Sequence, residues 1–577
     1  MLKTYLFTFL SFLVGLFLWN FISIPFQNEQ NIVGILAQKN FNPINNDLRF
    51  IFLCLIVFST FYFFAKYYDF SKKSIGEIIN LKKTIESKHK VKHRVLKHLL
   101  FIFSTLVVLE FLCNDLPVHK LDFFHEGEWL SPAFHYFKTN EMWTGSFFIH
   151  GLFYDVLKPL LSWNLFNSIS IGSVRYFDNL LILITKLFLL LLSYKVTEIQ
   201  DLEKSKKVIF FCILSLISFK LLKYGLGHNY FTYRDLPLII NLILIINLTN
   251  NNFKSLISSF LLGLLPMFVF LLTIDRGFYS LIIIFLTIFL MLWNRKYLNL
   301  ILILFGFLTS IMIINFLIPN SEIMSFFDNT ASIIKLKPFL DSYIYPTPII
   351  GGDTIATKGI IFVLIGGLIS LLVLMKKNSN QSNEFSLFLI VCVFVSILVY
   401  KNGLGRSDAA HIKYSLGFNH FLITTCFLNL FLTKTNFNIN NLRLIITSLV
   451  ALNIFTILIY NKDNASLKNL INYNNKVKDY VAKEDKFFLK IEAHEVLDYY
   501  KVLAQGQDCA LSFTNEPAWV YLLKTKNCSK YYVNWFAATD KLQREYIKIL
   551  KEKKIKYILF DSKNKLLPDG FKNKERH

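Results

Sequence analysis

Long apolar runs separated by short polar segments set the pattern of this chain. The first extends from Tyr5 to Ile24, and others follow near 49–66, 98–113, 176–194, 208–222, 236–249, 255–273, 278–293, 298–318, 359–375, 385–400, 415–433 and 442–460. A helix needs about 17 to 25 apolar residues to cross a hydrocarbon core roughly 30 Å thick, and some of these runs lie near the lower limit. The pattern predicts an α-helical polytopic membrane protein with about thirteen transmembrane helices. Trp19-Asn20-Phe21 offers no small-x-small cleavage site, so the first run is expected to stay attached as a span with Lys3 inside.

Basic residues orient the bundle. About ten Lys and Arg crowd the stretch from Lys66 to Lys97, which the positive-inside rule places in the cytoplasm. The segments after Lys195, at Asn294-Arg295-Lys296, at Met375-Lys376-Lys377 and at Lys434 then also fall inside. Four segments, 114–175, 223–235, 274–277 and 401–414, fall on the opposite side and gather His, Asp, Glu and Arg. Three regions follow from this. Residues 1–97 form an N-terminal two-span hairpin with its basic loop, 98–460 a bundle with the large outer loop 114–175, and 461–577 an exported domain. In the last region strands are expected at Phe487–Ile491, Ala510–Phe513, Tyr531–Trp535 and Lys556–Phe560. Helices are expected at Glu495–Ala504, Glu516–Lys524 and Lys541–Lys554, which suggests a small α/β domain with a largely parallel sheet.

Composition narrows the class. The chain has 577 residues, 54% of them hydrophobic and 18% charged, with a mean hydropathy of +0.45. This excludes a soluble enzyme, a disordered scaffold and a disulfide-rich secreted module. The net charge of +23 lies in the basic loop and in the last region, so anionic lipid headgroups are the expected partners and nucleic acid is not. Seven cysteines are too few for a framework. Cys509 and Cys528, the only pair in the expected exported domain, read either as a disulfide or as two buried thiols in neighbouring strands.

The candidate chemistry sits in the outer segments. Asp122-Phe123-Phe124-His125-Glu126-Gly127-Glu128 sets three carboxylates and a His within seven residues beside a membrane. Such a group is expensive unless solvated or used. A carboxylate here could take a proton from a hydroxyl, and Glu126 and Glu128 are candidate oxygen ligands for Mg or Mn. The plainer reading is a solvated loop capping the next helix. His150 and Asp155, five apart, need not share a helical face. Tyr233-Arg234-Asp235 and Asp275-Arg276 put Arg beside Asp at a membrane boundary, either to bind phosphate through the planar guanidinium fork or to pair within the bundle. The last cluster is Gly403-Leu404-Gly405-Arg406-Ser407-Asp408-Ala409-Ala410-His411-Ile412-Lys413. If 407–414 is helical, Asp408 and His411 face the same way, and Arg406, His411 and Lys413 could neutralise a departing phosphate. The plainer reading makes Ser407 or Asp408 an N-cap.

Together these residues resemble the polytopic GT-C glycosyltransferases, which use lipid-phosphate-linked sugars. The likeness rests on the acidic cluster of Asp122, His125, Glu126 and Glu128 in the first large outer loop, and on Arg234-Asp235 and Arg406 to His411 on the same face. The tail segment Phe513-Thr514-Asn515-Glu516-Pro517-Ala518-Trp519 adds to it. It spans nearly the whole chain loosely. Two spans precede the acidic loop, where many members have one, and His-Glu-Gly-Glu replaces a clean acidic pair. The resemblance implies a polyprenyl-phosphate sugar donor, a glycan or lipid acceptor, and inversion at the anomeric carbon. It also implies Asp122 or Glu126 as general base and Arg406 with Arg234 or Arg276 on the phosphate. The setting it implies is a bacterial inner membrane with the active face extracytoplasmic. An O-antigen ligase or polymerase, a transporter, and a non-catalytic envelope assembly protein are the rival readings; Glu110 is the carboxylate placed well within a predicted span.

Overall fold

The computed structural model describes residues 2–68, 94–224, 229–250, 255–349, 354–376, 383–435, 439–458, 470–514, 516–553 and 555–559. Most of the basic loop, Gly227-His228 and Asn515 lie outside them, as do Phe560 and the residues after it. The chain is a helical integral membrane protein. Every apolar run lies along a helix, because a backbone in hydrocarbon can satisfy its polar groups only within itself. Among the described residues eight helices are long and apolar enough to cross a membrane, or nine if the pair Ala409–Ser415 and Gly417–Lys434, bent by 45°, forms one span. The other apolar runs form helices that are shorter or carry more charge. Leu236–Asn250, for example, has 15 residues and a length of about 22 Å.

Helix direction alternates along the chain. Contacts join successive helix ends: the Ile24 amide donates to Asn45, Arg175 to the His119 carbonyl, Arg276 to Asp235 and Asn402 to Asp275. Polar contacts tie these ends together: Lys401 Nζ lies 2.9 Å from Asp47, and the Ile274 amide donates to the His150 carbonyl at 3.0 Å. Close backbone approach also contributes. A Cβ on Gly263 would overlap the Ile303 carbonyl, so the Leu256–Leu272 and Tyr297–Leu317 helices pack at glycine.

Residues 114–170 and the C-terminal segment build one cap over this face. The helix Gly127–Thr139, the π-helical turn Phe153–Leu157 and the helix Lys158–Phe166 form its inner layer. The C-terminal segment lies on it: the Leu121 amide donates to Phe488 O at 2.7 Å, Phe147 to Lys530 O at 2.9 Å and Ala518 to Phe123 O at 3.2 Å. Gly127 has no room for a Cβ because the Ala518 backbone fills that space.

The C-terminal segment differs from the expected sheet. Two short strands, β1 (Cys509–Ala510) and β2 (Lys526–Asn527), pair in parallel, and Ser512 bridges in parallel to Leu559. The expected strand Phe487–Ile491 is replaced by a 3₁₀ turn, Asp485–Phe488, and the helix after it begins at Ile491. The expected strand Tyr531–Trp535 closes as the 3₁₀ turn Asn534–Phe536. The apolar residues of both runs bury against the outer loop, Phe488 beside Leu121 and Tyr531 beside Phe147, so tertiary packing overrides strand propensity. Helices Ala518–Leu522 and Asp540–Glu552 fall where helices were expected. The helix Asn320–Asp341, which the apolar pattern does not reveal, packs on the same face, with Glu322 accepting the amides of Met142 and Thr144 at 3.1 Å each.

Cys509 and Cys528 form a disulfide with Cα atoms 5.0 Å apart, and five cysteines remain free. Alkylating the denatured chain without reductant should therefore modify five cysteines, and mass spectrometry should count seven after reduction. Seven in both samples would remove the bond.

Candidate functional site

A cavity of about 450 Å³ opens between the cap and the bundle. Part of its lining is apolar, with Ile182 and Val399 from helices and Leu222 and Phe231 from the connection after Leu221. The rest of the lining carries ionisable residues drawn from along the chain: Asp122 to Glu128, His150, Arg175 and Asp178, Arg234, Arg276 and His411. This size and polarity suit an amphiphilic ligand.

Most of those charges are consumed by one another. Arg175 donates from Nε and Nη2 to the two oxygens of Glu126, each at 2.7 Å, and from Nη1 to the His119 carbonyl at 2.6 Å. Both side chains are buried. Glu126 Oε2 also accepts the Asp122 amide at 2.9 Å, so this carboxylate ties the acidic loop to the Ile171–Glu198 helix. Arg276 donates to Asp235 from Nε and Nη2 at 2.9 and 2.8 Å and is paired with Asp275, which also accepts from Arg234 at 2.9 Å. Arg234 and Arg276, two of the three arginines expected to meet phosphate, are therefore engaged in a four-residue network, although both line the cavity. Lys158, fully buried, reaches Asp178 at 3.0 Å and the Tyr233 hydroxyl at 3.0 Å. Its ammonium lies 3.8 Å from the Trp129 ring centroid, an aromatic seat that shares its desolvation.

Three Asp–His pairs remain around the opening. His125 Nδ1 lies 2.8 Å from Asp122 Oδ2, while Asp122 Oδ1 accepts the amides of Phe124 and His125 at 3.1 and 3.0 Å. Burial pushes the Asp122 carboxyl up, but hydrogen bonds and charge from His125 and these amides outweigh it and hold the group below its ordinary value. The same hydrogen bond raises the His125 imidazole, against burial and the charge of nearby Arg406.

The second pair is enclosed. His150 Nδ1 lies 2.9 Å from Asp155 Oδ1, and Asp155 Oδ2 accepts the amides of Ile149, His150 and Gly151 at 2.8, 2.9 and 3.3 Å. A helical repeat would separate these residues. The wide π turn and Gly151, at φ +119° against the Leu272 carbonyl, fold Asp155 back onto the imidazole. Burial lowers the His150 imidazole despite its carboxylate partner.

The third pair caps a helix. Asp408 accepts the His411 amide at 2.9 Å and meets His411 Nδ1 at 2.8 Å, so the capping and the site geometry expected for it coexist. Ser407 before it has φ +56°, an unusual conformation for a residue with a side chain, and it turns the chain sharply after Arg406. Arg406 is held loosely, 3.9 Å from Asp341 and 3.8 Å from Asp408. Lys413 differs from expectation: its ammonium sits 5.2 Å from the Tyr230 ring centroid, away from the cavity wall.

Glu128 stands apart. It lines the cavity, is buried, and its Oε2 lies 4.0 Å from His150 Nε2. Burial pushes its carboxyl up to about 8, the charge of His125 offsetting this only in part. Among the described residues no group of three or more His, Cys, Asp or Glu side chains is arranged to hold a metal ion. With Glu126 given over to Arg175, the expected Glu126–Glu128 ligand pair for Mg or Mn is not assembled here.

Sequence spacing did not single out Arg175, Lys158, Asp178, Trp129 or Lys337. Asp178 had a local signal, since it lies inside the apolar run 176–194 and charges there are rarely idle, and Arg175 adjoins that run. Lys337 had none, because the helix bearing it lies outside the apolar pattern; its charge reaches Glu128 and His150. No protein-family model matches this chain, and no curated protein matches it in sequence.

Two stability outcomes follow. Arg175→Met strands a buried carboxylate and should cost about 3–5 kcal/mol in thermal unfolding, with Arg175→Met/Glu126→Leu recovering most of it. For Glu128 the folded-state value of about 8 lies above the ordinary 4.5, so the unfolded chain ionises first. Stability is then lost as pH rises from about 4.5 to about 8, and Glu128→Gln should be the more thermostable protein at pH 8 but not at pH 4.5. Equal melting curves at both pH values would show that Glu128 is not buried as an acid.

Proposed function

We propose that this protein is a membrane glycosyltransferase that moves a sugar from a polyprenyl-phosphate donor to a hydroxyl of a glycan or lipid acceptor. The observation that carries the reading is a single cavity with an apolar wall reaching into the bundle and a mouth lined by separate acidic and basic groups. The lipid tail lies along Ile182, Leu222 and Val399. Its phosphate meets His411, which lines the cavity, and Arg406 close by, whose carboxylate contacts are long at 3.8 and 3.9 Å. Across the opening, the segment from Asp122 to Asp155 supplies the group that takes the acceptor's proton. Direct displacement of the phosphate by the acceptor oxygen inverts the anomeric carbon. Oriented cations at the leaving phosphate are the kind of electrostatic help that dominates such reactions.

In this reading the membrane is a bacterial inner membrane crossed about thirteen times, with cavity and C-terminal segment outside the cytoplasm. A disulfide in that segment suits an oxidising compartment, and Lys195, Arg295, Lys376 and Lys434 at the opposite helix ends suit the cytoplasmic side. The C-terminal segment roofs the mouth with Trp535 against Phe124 beside His125, where an acceptor glycan can stack.

The test is transfer of radiolabelled sugar from a pool of polyprenyl-phosphate donors by the purified full chain in liposomes. Wild type should transfer label, and Arg406→Ala should lower the rate about 10²–10³-fold. No transfer by wild type from any donor, with Mg²⁺ and with EDTA, would overturn the reading.

A further inference from the structure

Three Asp–His pairs around one opening raise the question of which imidazole does what, and their surroundings separate them. His125 and His411 are 64% and 44% exposed at the mouth, close to the basic residues. His150 is 14% exposed and lies on the inner wall, beside Tyr154, whose ring centroid is 4.7 Å away. We propose that His150, aligned by Asp155, is the general base that removes the proton from the acceptor hydroxyl. This rests on the transferase reading and departs from the carboxylate base that the acidic loop suggests.

The geometry supports it step by step. Asp155 is fully buried, and three backbone amides hold one of its oxygens while the other faces His150 Nδ1 at 2.9 Å. That arrangement puts the ring proton on Nδ1 and leaves the Nε2 lone pair facing the cavity, the tautomer a general base needs. Among the described residues Nε2 makes no hydrogen bond; its nearest ionisable neighbour is Glu128 Oε2 at 4.0 Å. The rival carboxylates are less suited. Glu126 has both oxygens on Arg175, and Asp122 is held by His125 and two amides. Glu128, buried, is pushed up to about 8 and keeps its own proton at neutral pH.

The charged groups facing His150 act in opposing directions. Asp155 from the π turn favours the imidazolium, Arg234 and Lys337 from the neighbouring elements disfavour it, and burial disfavours it most, keeping the ring a neutral base near pH 7. In the step itself the acceptor O–H proton moves to Nε2 as the acceptor oxygen bonds the anomeric carbon. The bond from that carbon to the phosphate oxygen breaks, its electron pair leaving with the phosphate. Asp155 stabilises the imidazolium until it releases the proton to water.

The experiment uses the full chain in liposomes with a radiolabelled polyprenyl-phosphate sugar that wild type accepts. His150→Gln should lower transfer about 10²–10⁴-fold with donor binding unchanged. The acid limb of the kcat/KM profile should lie below 6.5, the ordinary imidazole value, and should move in Asp155→Asn. An acid limb near 8 that Glu128→Gln abolishes would make Glu128 the base and overturn the proposal while the transferase reading stands. A second readout needs no turnover: diethylpyrocarbonate, which attacks neutral imidazole, should modify His150, and undecaprenyl phosphate should protect it. Lack of modification at His150 overturns the assignment. No transfer by wild type from any donor overturns the transferase reading and this role with it.

Discussion

A charge brought to the edge of a bilayer has to find an opposite charge, and that requirement organises the cavity face of this protein. Arg175 with Glu126, Arg276 with Asp235, and Lys158 with Asp178 each join different elements, the first two 49 and 41 residues apart in sequence. A buried pair of this kind adds little stability beyond what an apolar pair would give, but losing one partner is costly. Such pairs therefore act as register pins. Each specifies which helix end meets which loop, and together they consume most of the charge the face carries.

The groups not consumed in this way are set apart by what remains around them. Three Asp–His pairs share one chemistry and sit in three environments, two open and one enclosed. The enclosed pair depends on a glycine and a π turn that bring Asp155 back to His150. The open pairs flank the loosely held Arg406, on a chain bent at Ser407. Similar residue pairs thereby acquire different proton affinities without any change in residue type. The apolar wall beneath them belongs to the bundle, so a ligand that fills the whole cavity needs both a greasy and a charged end.

Much of the membrane part was legible from the pattern of apolar runs, because bilayer thickness and backbone hydrogen bonding leave a chain few alternatives. The Asn320–Asp341 helix was not, since its polar character hides it from an apolar pattern. The C-terminal segment was read as a sheet because Phe487–Ile491 and Tyr531–Trp535 look like strands; they are held instead as turns by burial against a loop over three hundred residues earlier. Asp408 and His411 were legible because a local helical spacing carries their contact. Asp155 and His150 were not, because their contact depends on a turn that breaks that spacing.

The amino-acid sequence by itself determined that the chain is a helical membrane protein, that its basic ends lie opposite its mixed-charge ends, and which segments hold the ionisable residues. These follow from local composition and from the length of each apolar run. Tertiary structure alone decided which charges pair and which stay available. Glu126 became a structural anchor and Glu128 a buried acid two residues later because one meets Arg175 and the other is enclosed with no cation paired to it at contact distance among the described residues. Pairing is a contest among side chains from distant segments for a few low-dielectric positions, and no local pattern records its outcome.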